Sequence, residues 1–209
     1  MNYYISDLHF DHKNIIKFDN RPFSDVEEMN QALINNWNSV VQNNDTVYIL
    51  GDFCWGKADR WVEILKQLKG QKVLIQGNHD LTKYPSELKK MFQNIVDYLE
   101  IKDGENKVIL SHYPIPFYKR DYLKNVYMLY GHVHTTFEYY ATVALKLMSH
   151  KCDNRELGAG KSYNHFYNTG CMLLGYTPRT LYEVVAAETD LLHTLMREAA
   201  DMLDVANVC

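Results

Sequence analysis

Residues 72–80 have the sequence KVLIQGNHD, a β-rich apolar run that stops at glycine, asparagine, histidine and aspartate. The same change from apolar to polar residues follows four other short runs, at residues 3–6, 46–50, 108–110 and 126–130. Short strands with little polar alternation are typical of a sheet that is covered on both faces. The sequence therefore predicts an α/β protein whose strands end in polar residues that could bind a ligand or take part in catalysis.

Helical patterns separate the early runs. Residues 24–41 open with a capping box, Ser24 to Glu27, and place their apolar side chains on one helical face. Residues 57–69 repeat this period and stop at Gly70, and a shorter helix is expected to begin at Pro85. This β-α-β-α-β order predicts largely parallel strands that are joined by right-handed crossovers.

The later strands, around residues 95–110 and 126–133, follow each other too closely for a crossover helix between each pair. Part of the sheet, or a second sheet, should therefore be antiparallel or mixed. The fold class that follows is a layered α/β/β/α-type sandwich with mixed sheets. In such folds ligands bind at the carboxyl ends of the strands, so a metal site is expected there.

The pattern changes after residue 134. Residues 136–151 have helical spacing and 152–167 resemble a loop, so 135–167 are predicted to form an insertion that closes over the cleft as a lid. A strand is expected near 171–175, and further helices at 180–187 and 191–203. No linker divides the sequence, so residues 1–209 are taken as a single domain with this lid-like insertion.

Composition narrows the classes of function. The 209 residues are 46% hydrophobic and 23% charged, which is typical of a globular domain. The net charge of −4 argues against tight binding to long nucleic acid by counterion release, although a local basic patch stays possible. The four cysteines are widely spaced, there is no signal-peptide pattern, and no apolar run approaches the roughly eighteen residues that span a bilayer. A cytoplasmic location without membrane contact is expected, and the oligomeric state is left open.

The polar clusters supply a set of candidate metal ligands. Side chains two apart on a strand share a face, so Asp7 with His9, and His132 with His134, should each serve one site. Aspartate, asparagine and histidine without cysteine suit manganese first, with iron or zinc as alternatives. Seven ligands are too many for one ion, whereas two ions roughly 3.5–4 Å apart that share a carboxylate would use them all. The candidates are Asp7, His9, Asp52, Asn78, His112, His132 and His134.

The order of these clusters resembles the calcineurin-like metallophosphoesterases. The matching motifs are Asp7-x-His9, Gly51-Asp52, Gly77-Asn78-His79-Asp80, Ser111-His112 and Gly131-His132-x-His134, and Asn168-x-Gly170 resembles the family's returning strand. The resemblance implies that Asp7, His9, Asp52 and His134 hold one ion and that Asp52, Asn78, His112 and His132 hold the other.

By the same resemblance, a hydroxide between the two ions would attack phosphorus, and His79 would lie beside the leaving group. The implied activity is hydrolysis of a phosphate ester. The small size and acidic balance of the chain favour a small phosphodiester or nucleotide as the substrate.

Three further residues have two interpretations each. Asp80 is a catalytic candidate that could orient His79, or it could cap the following turn. His12 and Arg21 could contact the substrate phosphate, or they could be a solvated helix-start histidine and a packing arginine. The remaining histidines, His150, His165 and His193, are expected to be structural.

Two other functions are compatible with the same motifs. One is a nuclease that acts on DNA or RNA, for which basic patches could come from Lys83, Lys89 and Lys90 or from Lys119, Arg120 and Lys124. The other is a non-catalytic interaction subunit on the same fold, against which the complete ligand set argues. The fold alone does not choose among these functions.

Overall fold

The computed structural model of the protein describes residues 1–151 and 165–189, with side chains for 1–146 and 165–189. Its first sheet contains the strands β1 (Asn2–Ile5), β2 (Thr46–Ile49), β3 (Gln71–Ile75) and β4 (Asn94–Val96). These strands lie in the order β1-β2-β3-β4, and each pairs with the next in parallel. The parallel first half predicted from the sequence is therefore confirmed.

Helices connect the strands of this first sheet. Helices α1 (Lys13–Phe18) and α2 (Val26–Val40) lie between β1 and β2, α3 (Ala58–Leu65) lies between β2 and β3, and α4 (Ser86–Lys89) lies between β3 and β4. The capping box of α2 is shifted by one residue from the prediction. Asp25 accepts a hydrogen bond from the backbone N–H of Glu28, whose carboxylate accepts from Ser24. Helix α3 also ends at Leu65, earlier than predicted.

The second sheet contains β5 (Tyr98–Asp103), β6 (Asn106–Ser111), β7 (Val126–Tyr130) and β8 (Phe166–Asn168). Strands β5 and β6 are antiparallel, whereas β6 with β7 and β7 with β8 are parallel. The mixed second sheet is therefore confirmed. Helix α5 (Phe137–Lys151) follows β7, as predicted, and residues 181–189 are helical.

Three apolar layers hold these elements together. On β1, Ile5 packs under the helices of the first sheet, while its neighbour Tyr4 points between the two sheets and meets Leu110 and Leu129. On β6, Ile109 points to the face of the second sheet that lies away from the first sheet, and it is buried in the third layer. This alternation along the strands gives each sheet two buried faces. The predicted α/β/β/α sandwich is confirmed.

The carboxyl-terminal part differs from the sequence prediction. The expected strand at 171–175 is a turn, closed by a hydrogen bond from the N–H of Tyr176 to the carbonyl of Cys171, and the strand is instead β8. Phe166 starts β8 because its ring stacks on Tyr130 of β7, with centroids 4.4 Å apart. The predicted helix at 191–203 lies outside the described residues.

Helix α5 forms the outer layer of the second sheet. Its residues Tyr139 and Val143 are buried with Ile109 and Met128, and the hydroxyl of Tyr130 donates to Thr142. The first half of the expected lid is therefore a packed layer of the fold. Residues 152–164 lie outside the described residues, so the lid stays a prediction there. Within the described parts of the chain, every helix is too short or too polar to cross a bilayer.

Candidate metal centre

The carboxyl ends of the central strands bring two carboxylates and two imidazoles into one cluster. Asp7, His9, Asp52 and His134 each offer a ligand atom, and these atoms all lie within 4.8 Å of one another. The Nε2 atoms of His9 and His134 are 3.3 Å apart, and His9 Nε2 is 3.6 Å from Asp52 Oδ2. These are the four residues that the resemblance assigns to the first ion.

The remaining candidates lie on the other side of Asp52. His112 Nε2 is 3.0 Å from the side-chain oxygen of Asn78 and 3.7 Å from Asp52 Oδ1. The ring of His132 packs against the ring of His112, with centroids 5.1 Å apart. All seven candidate ligands from the sequence therefore meet at one place, and Asp52 presents one carboxylate oxygen to each group.

The backbone at these residues is unusual. Nine described non-glycine residues have positive φ, and five of them are candidate ligands: Asp7, His9, Asp52, His132 and His134, with φ between 45° and 71°. Strand β1 ends at Ile5 and β7 ends at Tyr130, so the ligand pairs lie beyond their strands. Left-handed turns, and not the predicted strand alternation, direct each pair into the cleft. Such conformations persist where the surroundings impose them, and they concentrate at functional sites.

Hydrogen bonds between the loops impose this backbone. The N–H of His9 donates to the carbonyl of Asp52 at 2.9 Å, and the N–H of His132 donates to the carboxylate of Asp7 at 3.1 Å. Glycine is required at two adjacent turns. A Cβ on Gly51, which has φ +86°, would collide with the ring of His112, and one on Gly77 would collide with the carboxylate of Asp52. The strand-end glycines therefore allow the ligand side chains to approach the backbone.

The donor set fits divalent metal ions. Asp7 and Asp52 are buried, and no lysine or arginine within the described residues lies at salt-bridge distance from either carboxylate. Buried carboxylates are normally paired or bound to metal. Burial and the nearby imidazole of His134 hold the pKa of His9 well below its ordinary value, so its ring is neutral, which is the metal-binding form.

A residue that the sequence did not single out, Asp19, orients one of the candidate ligands. Its Oδ1 is 2.8 Å from His134 Nδ1, and its Oδ2 accepts from Arg21 Nη2 at 2.9 Å. Burial opposes ionisation of Asp19, but the hydrogen bond with His134 and the charge of Arg21 outweigh it, and the pKa of Asp19 is lowered. A carboxylate on Nδ1 leaves Nε2 directed at the metal cluster. Asp19 is therefore a positioning residue.

Replacement of Asp19 by asparagine should weaken metal binding by about 10-fold or more, because outer carboxylates on metal-binding histidines typically contribute about 10- to 100-fold. The measurement is a titration of metal-free protein with Mn²⁺ or Zn²⁺. Asp103→Asn is a matched control, because Asp103 accepts hydrogen bonds from Tyr4 and Asn2, away from the ligand cluster. Equal affinities for the wild-type protein and Asp19→Asn would contradict the positioning role.

Arg21 does not have the geometry of a phosphate clamp. Its guanidinium is buried and donates to the carbonyls of Asp7 and Leu8, each at 2.8 Å, as well as to Asp19. These contacts occupy the donors that a phosphate would need. The prediction that Arg21 binds substrate is therefore corrected: Arg21 packs beneath the loop that carries Asp7 and His9.

Arg21→Ala should lower the free energy of unfolding by about 3–5 kcal/mol, because it leaves the buried carboxylate of Asp19 and two carbonyls without their donor. Chemical denaturation measures this loss. Arg60→Ala is the control, since the Arg60–Asp11 pair is partly exposed and should contribute about 1 kcal/mol or less. Unchanged stability of Arg21→Ala with a raised KM would instead indicate a phosphate contact.

Asp80 joins two of the ligand loops. Its buried carboxylate accepts from the backbone N–H groups of Asp52, Phe53 and Gly77, at 2.8–3.1 Å. Burial raises the pKa of Asp80 to about 6, although the N–H groups of Gly77 and Phe53 lower it. No described hydrogen bond links Asp80 to the ring of His79. The prediction that Asp80 orients His79 is not supported, and the turn-capping interpretation is closer to what is observed.

The last two candidate residues, His79 and His12, lie along one side of the metal cleft. His79 is exposed, and its backbone N–H donates to Asp52 Oδ1 at 2.9 Å. His12 stacks on Trp55, with centroids 4.1 Å apart. Burial, followed by the charges of His79 and Arg21, lowers the pKa of His12, so its ring is uncharged at neutral pH. A neutral imidazole attracts phosphate weakly, and the phosphate contact of His12 stays a prediction.

Comparison with known proteins places the chain in a family. A sequence model of the calcineurin-like phosphoesterases matches residues 3–171, and the chain belongs to this family. Its members are phosphoesterase hydrolases, for which divalent metal ions are implied. The ligand cluster at the strand ends agrees with that family.

Individual relatives extend this comparison. Over 134 residues the chain is 42% identical to a protein of Methanocaldococcus jannaschii named "Uncharacterized protein MJ1445", which covers 63% of this chain and 68% of that protein. It is 32% identical over 130 residues to the gene 66 protein of Mycobacterium phage L5, covering 54% of this chain and 62% of that protein. The matches thus span roughly two thirds of each relative.

One solved structure, that of AQ665 from Aquifex aeolicus, has the same fold. That protein is described as one of unknown function, and its structure matches with a TM-score of 0.62 and 29% identity over 89% of this chain and 98% of that chain. The similarity therefore supports the α/β/β/α architecture through nearly the whole length of that chain.

Proposed function

We propose that the protein hydrolyses a small phosphate ester, a phosphodiester or a nucleotide, with the help of two divalent metal ions. The observation that carries the proposal is the position of Asp52, whose two oxygens face His9 on one side and His112 on the other. A single carboxylate shared by two ligand groups is the arrangement that a two-ion phosphoesterase requires. Membership of the phosphoesterase family supports it.

The seven clustered side chains would hold the ions. Asp7, His9, Asp52 and His134 would bind one, and Asp52, Asn78, His112 and His132 the other. When bound, two such ions activate the attacking water and offset the charge that develops on the phosphoryl oxygens. Oxygen and imidazole donors without cysteine favour manganese, with iron and zinc as alternatives.

The chain itself supplies orientation and a proton donor. Asp19 and Arg21 fix His134, and Asp80 fixes the loops that carry Asp52 and Asn78. His79 is exposed at the cleft, with its ring centroid 5.9 Å from that of His9. A ring in this place can donate a proton to the leaving oxygen of a substrate whose phosphate lies at the ligand cluster.

The nuclease alternative has weaker support. Of the basic residues that could bind a polyanion, Lys119 lies 3.5 Å from Glu100, which also pairs with Lys107. The net charge of −4 also supplies no overall positive field for a polyanion. The non-catalytic alternative is disfavoured by the complete ligand set. A cytoplasmic location stays a prediction.

A panel of phosphomonoesters and phosphodiesters, assayed after removal of metal and reloading with Mn²⁺, Zn²⁺, Fe²⁺ or Mg²⁺, tests the proposal. We expect turnover that depends on metal, with two ions bound per chain. Stoichiometric metal without turnover on any ester would favour the interaction subunit. A salt-sensitive affinity for DNA or RNA, with cleavage of it, would favour the nuclease.

A further inference from the structure

Four aromatic rings line one side of the metal cleft, and we call them the aromatic wall: His9, His12, Trp55 and His79. The centroids of His9 and His12 are 5.3 Å apart, and His12 stacks on Trp55 at 4.1 Å with an interplanar angle of 9°. Trp55 lies 5.1 Å from His79, and His79 lies 5.9 Å from His9. The wall therefore begins at a candidate metal ligand and ends at an indole.

Trp55 is held in place although half of it is exposed. Its side chain is 52% exposed, and its backbone N–H donates to the carbonyl of Phe10 at 2.8 Å. The buried Nδ1 of His12 has no hydrogen-bond partner among the described residues, so ring contacts orient this side chain, and the stacking on Trp55 is the tightest of them. Unpaired buried polar atoms are rare and call for an explanation. Here, an indole with one side supported by His12 is preorganised for a flat ligand.

The carboxylate next to His12 in the sequence is already paired. Asp11, next to His12, binds Arg60 at 2.6 Å and also accepts from Asn30. A planar, uncharged group therefore suits this surface better than a charged one. Every nucleobase has a π-face that stacks on tryptophan without sequence preference.

We propose that Trp55 stacks on the base of the leaving nucleoside of a nucleotide ester, an inference that rests on the phosphoesterase function proposed above. The order of groups along the wall matches the order within such a substrate. The phosphate would lie at His9 and its partners, the leaving oxygen at His79, and the base at Trp55, with the ribose spanning the interval. Trp55 is then a specificity-determining residue, and His12 positions it.

Binding of two matched ligands tests this assignment without turnover. The ligands are the phosphonate analogues of adenosine 5′-monophosphate and of ribose 5-phosphate, in which a methylene replaces the ester oxygen, so neither can be hydrolysed there. Trp37 and Trp61 are fully buried, so Trp55 is the exposed one of the three tryptophans and reports stacking by its fluorescence. We expect the adenosine ligand to quench this fluorescence and to bind the manganese-loaded protein about 10-fold more tightly than the ribose ligand.

Calorimetry on variants locates the base. Trp55→Ala should lower the affinity for the adenosine ligand about 10-fold, towards that of the ribose ligand, whereas Trp55→Phe should retain most of the preference. Tyr113→Ala removes the exposed ring that packs on His132 at 4.6 Å, at the other side of the cleft. Tyr182→Ala removes an exposed ring next to Asn106, on the far end of the second sheet. Both should leave the preference for the adenosine ligand intact.

Several outcomes would overturn the inference. Equal affinities for the two ligands in an enzyme that hydrolyses other phosphate esters would refute the base site while the proposed function stood. A loss of preference in Tyr113→Ala, and not in Trp55→Ala, would place the base on the opposite side. A protein that hydrolyses no ester but keeps a preference that depends on Trp55 would support the base site and overturn the proposed hydrolysis.

Discussion

Asp52→Asn should abolish most of the activity and reduce the occupancy of both proposed ions, because Asp52 is the one candidate ligand that faces both groups. Its Oδ2 lies 3.6 Å from His9 Nε2, and its Oδ1 lies 3.7 Å from His112 Nε2. Loss of an outer-shell partner already costs about 10- to 100-fold in typical metal sites. A shared ligand should therefore cost more than about 100-fold in kcat/KM.

Asn78→Ala is the matched comparison, since the side-chain oxygen of Asn78 is 3.0 Å from His112 Nε2, in the second group of candidate ligands. It should cost less activity than Asp52→Asn and should spare the first ion. Metal analysis per chain and kcat/KM are measured for both variants, with circular dichroism to show that each has folded. The asparagine at 52 can still accept the hydrogen bond from the N–H of His79, so the loop should persist. Full activity of Asp52→Asn, or one ion per chain in active wild-type protein, would exclude the two-ion centre.

The candidate ligands could be gathered from the sequence because each one follows a strand. Apolar runs mark the strands by themselves, and parallel strands end at the same edge of a sheet, so short local patterns were enough to gather residues from five distant segments. The layered architecture followed from the same runs. Where the local signal was weak, the prediction failed: Phe166 starts β8 because it packs on Tyr130, a contact between distant segments.

The positioning contacts could not be predicted in the same way. Asp19 lies 115 residues from His134, and no pattern around residue 19 distinguishes it from a loop carboxylate. The reason that Asp7 and His9 face the same cleft was also misjudged, because their left-handed backbone depends on hydrogen bonds from other loops. Such bonds are tertiary contacts, and a strand-alternation rule cannot represent them.

The burial of Arg21 links the fold to the site. One guanidinium binds the carbonyls of the loop that carries two candidate ligands and also the carboxylate that orients a third, His134. Stability and metal binding should therefore be coupled at this position. The sequence suggested a substrate contact because arginine often binds phosphate, but burial decides which anions it can reach.

The proposed role of His79 as a proton donor predicts that the effect of its loss on the rate depends on the leaving group. Strand β3 ends at Ile75, so Asn78 and His79 lie in a turn and are not held on opposite faces of a strand. Both side chains are exposed, and the ring of His79 lies between that of His9 and that of Trp55. A proton donor in this place assists departure of a poor leaving group by roughly 10²- to 10⁴-fold and is hardly needed for a good one.

His79→Gln should therefore lower the rate steeply for an alkyl phosphate ester and only mildly for p-nitrophenyl phosphate esters, with metal content unchanged. His12→Gln is the matched control, since His12 belongs to the same wall, whereas His79 is the residue whose backbone N–H donates to the shared carboxylate of Asp52 at 2.9 Å. It should not lower the rate for the alkyl ester more than the rate for the p-nitrophenyl esters. If His79 only stabilised its turn, its loss would reduce both rates together, through lost metal or misfolding. Rates for both esters and the metal stoichiometry of each variant separate these cases, and equal losses in a fully metallated His79→Gln protein would exclude the general-acid role.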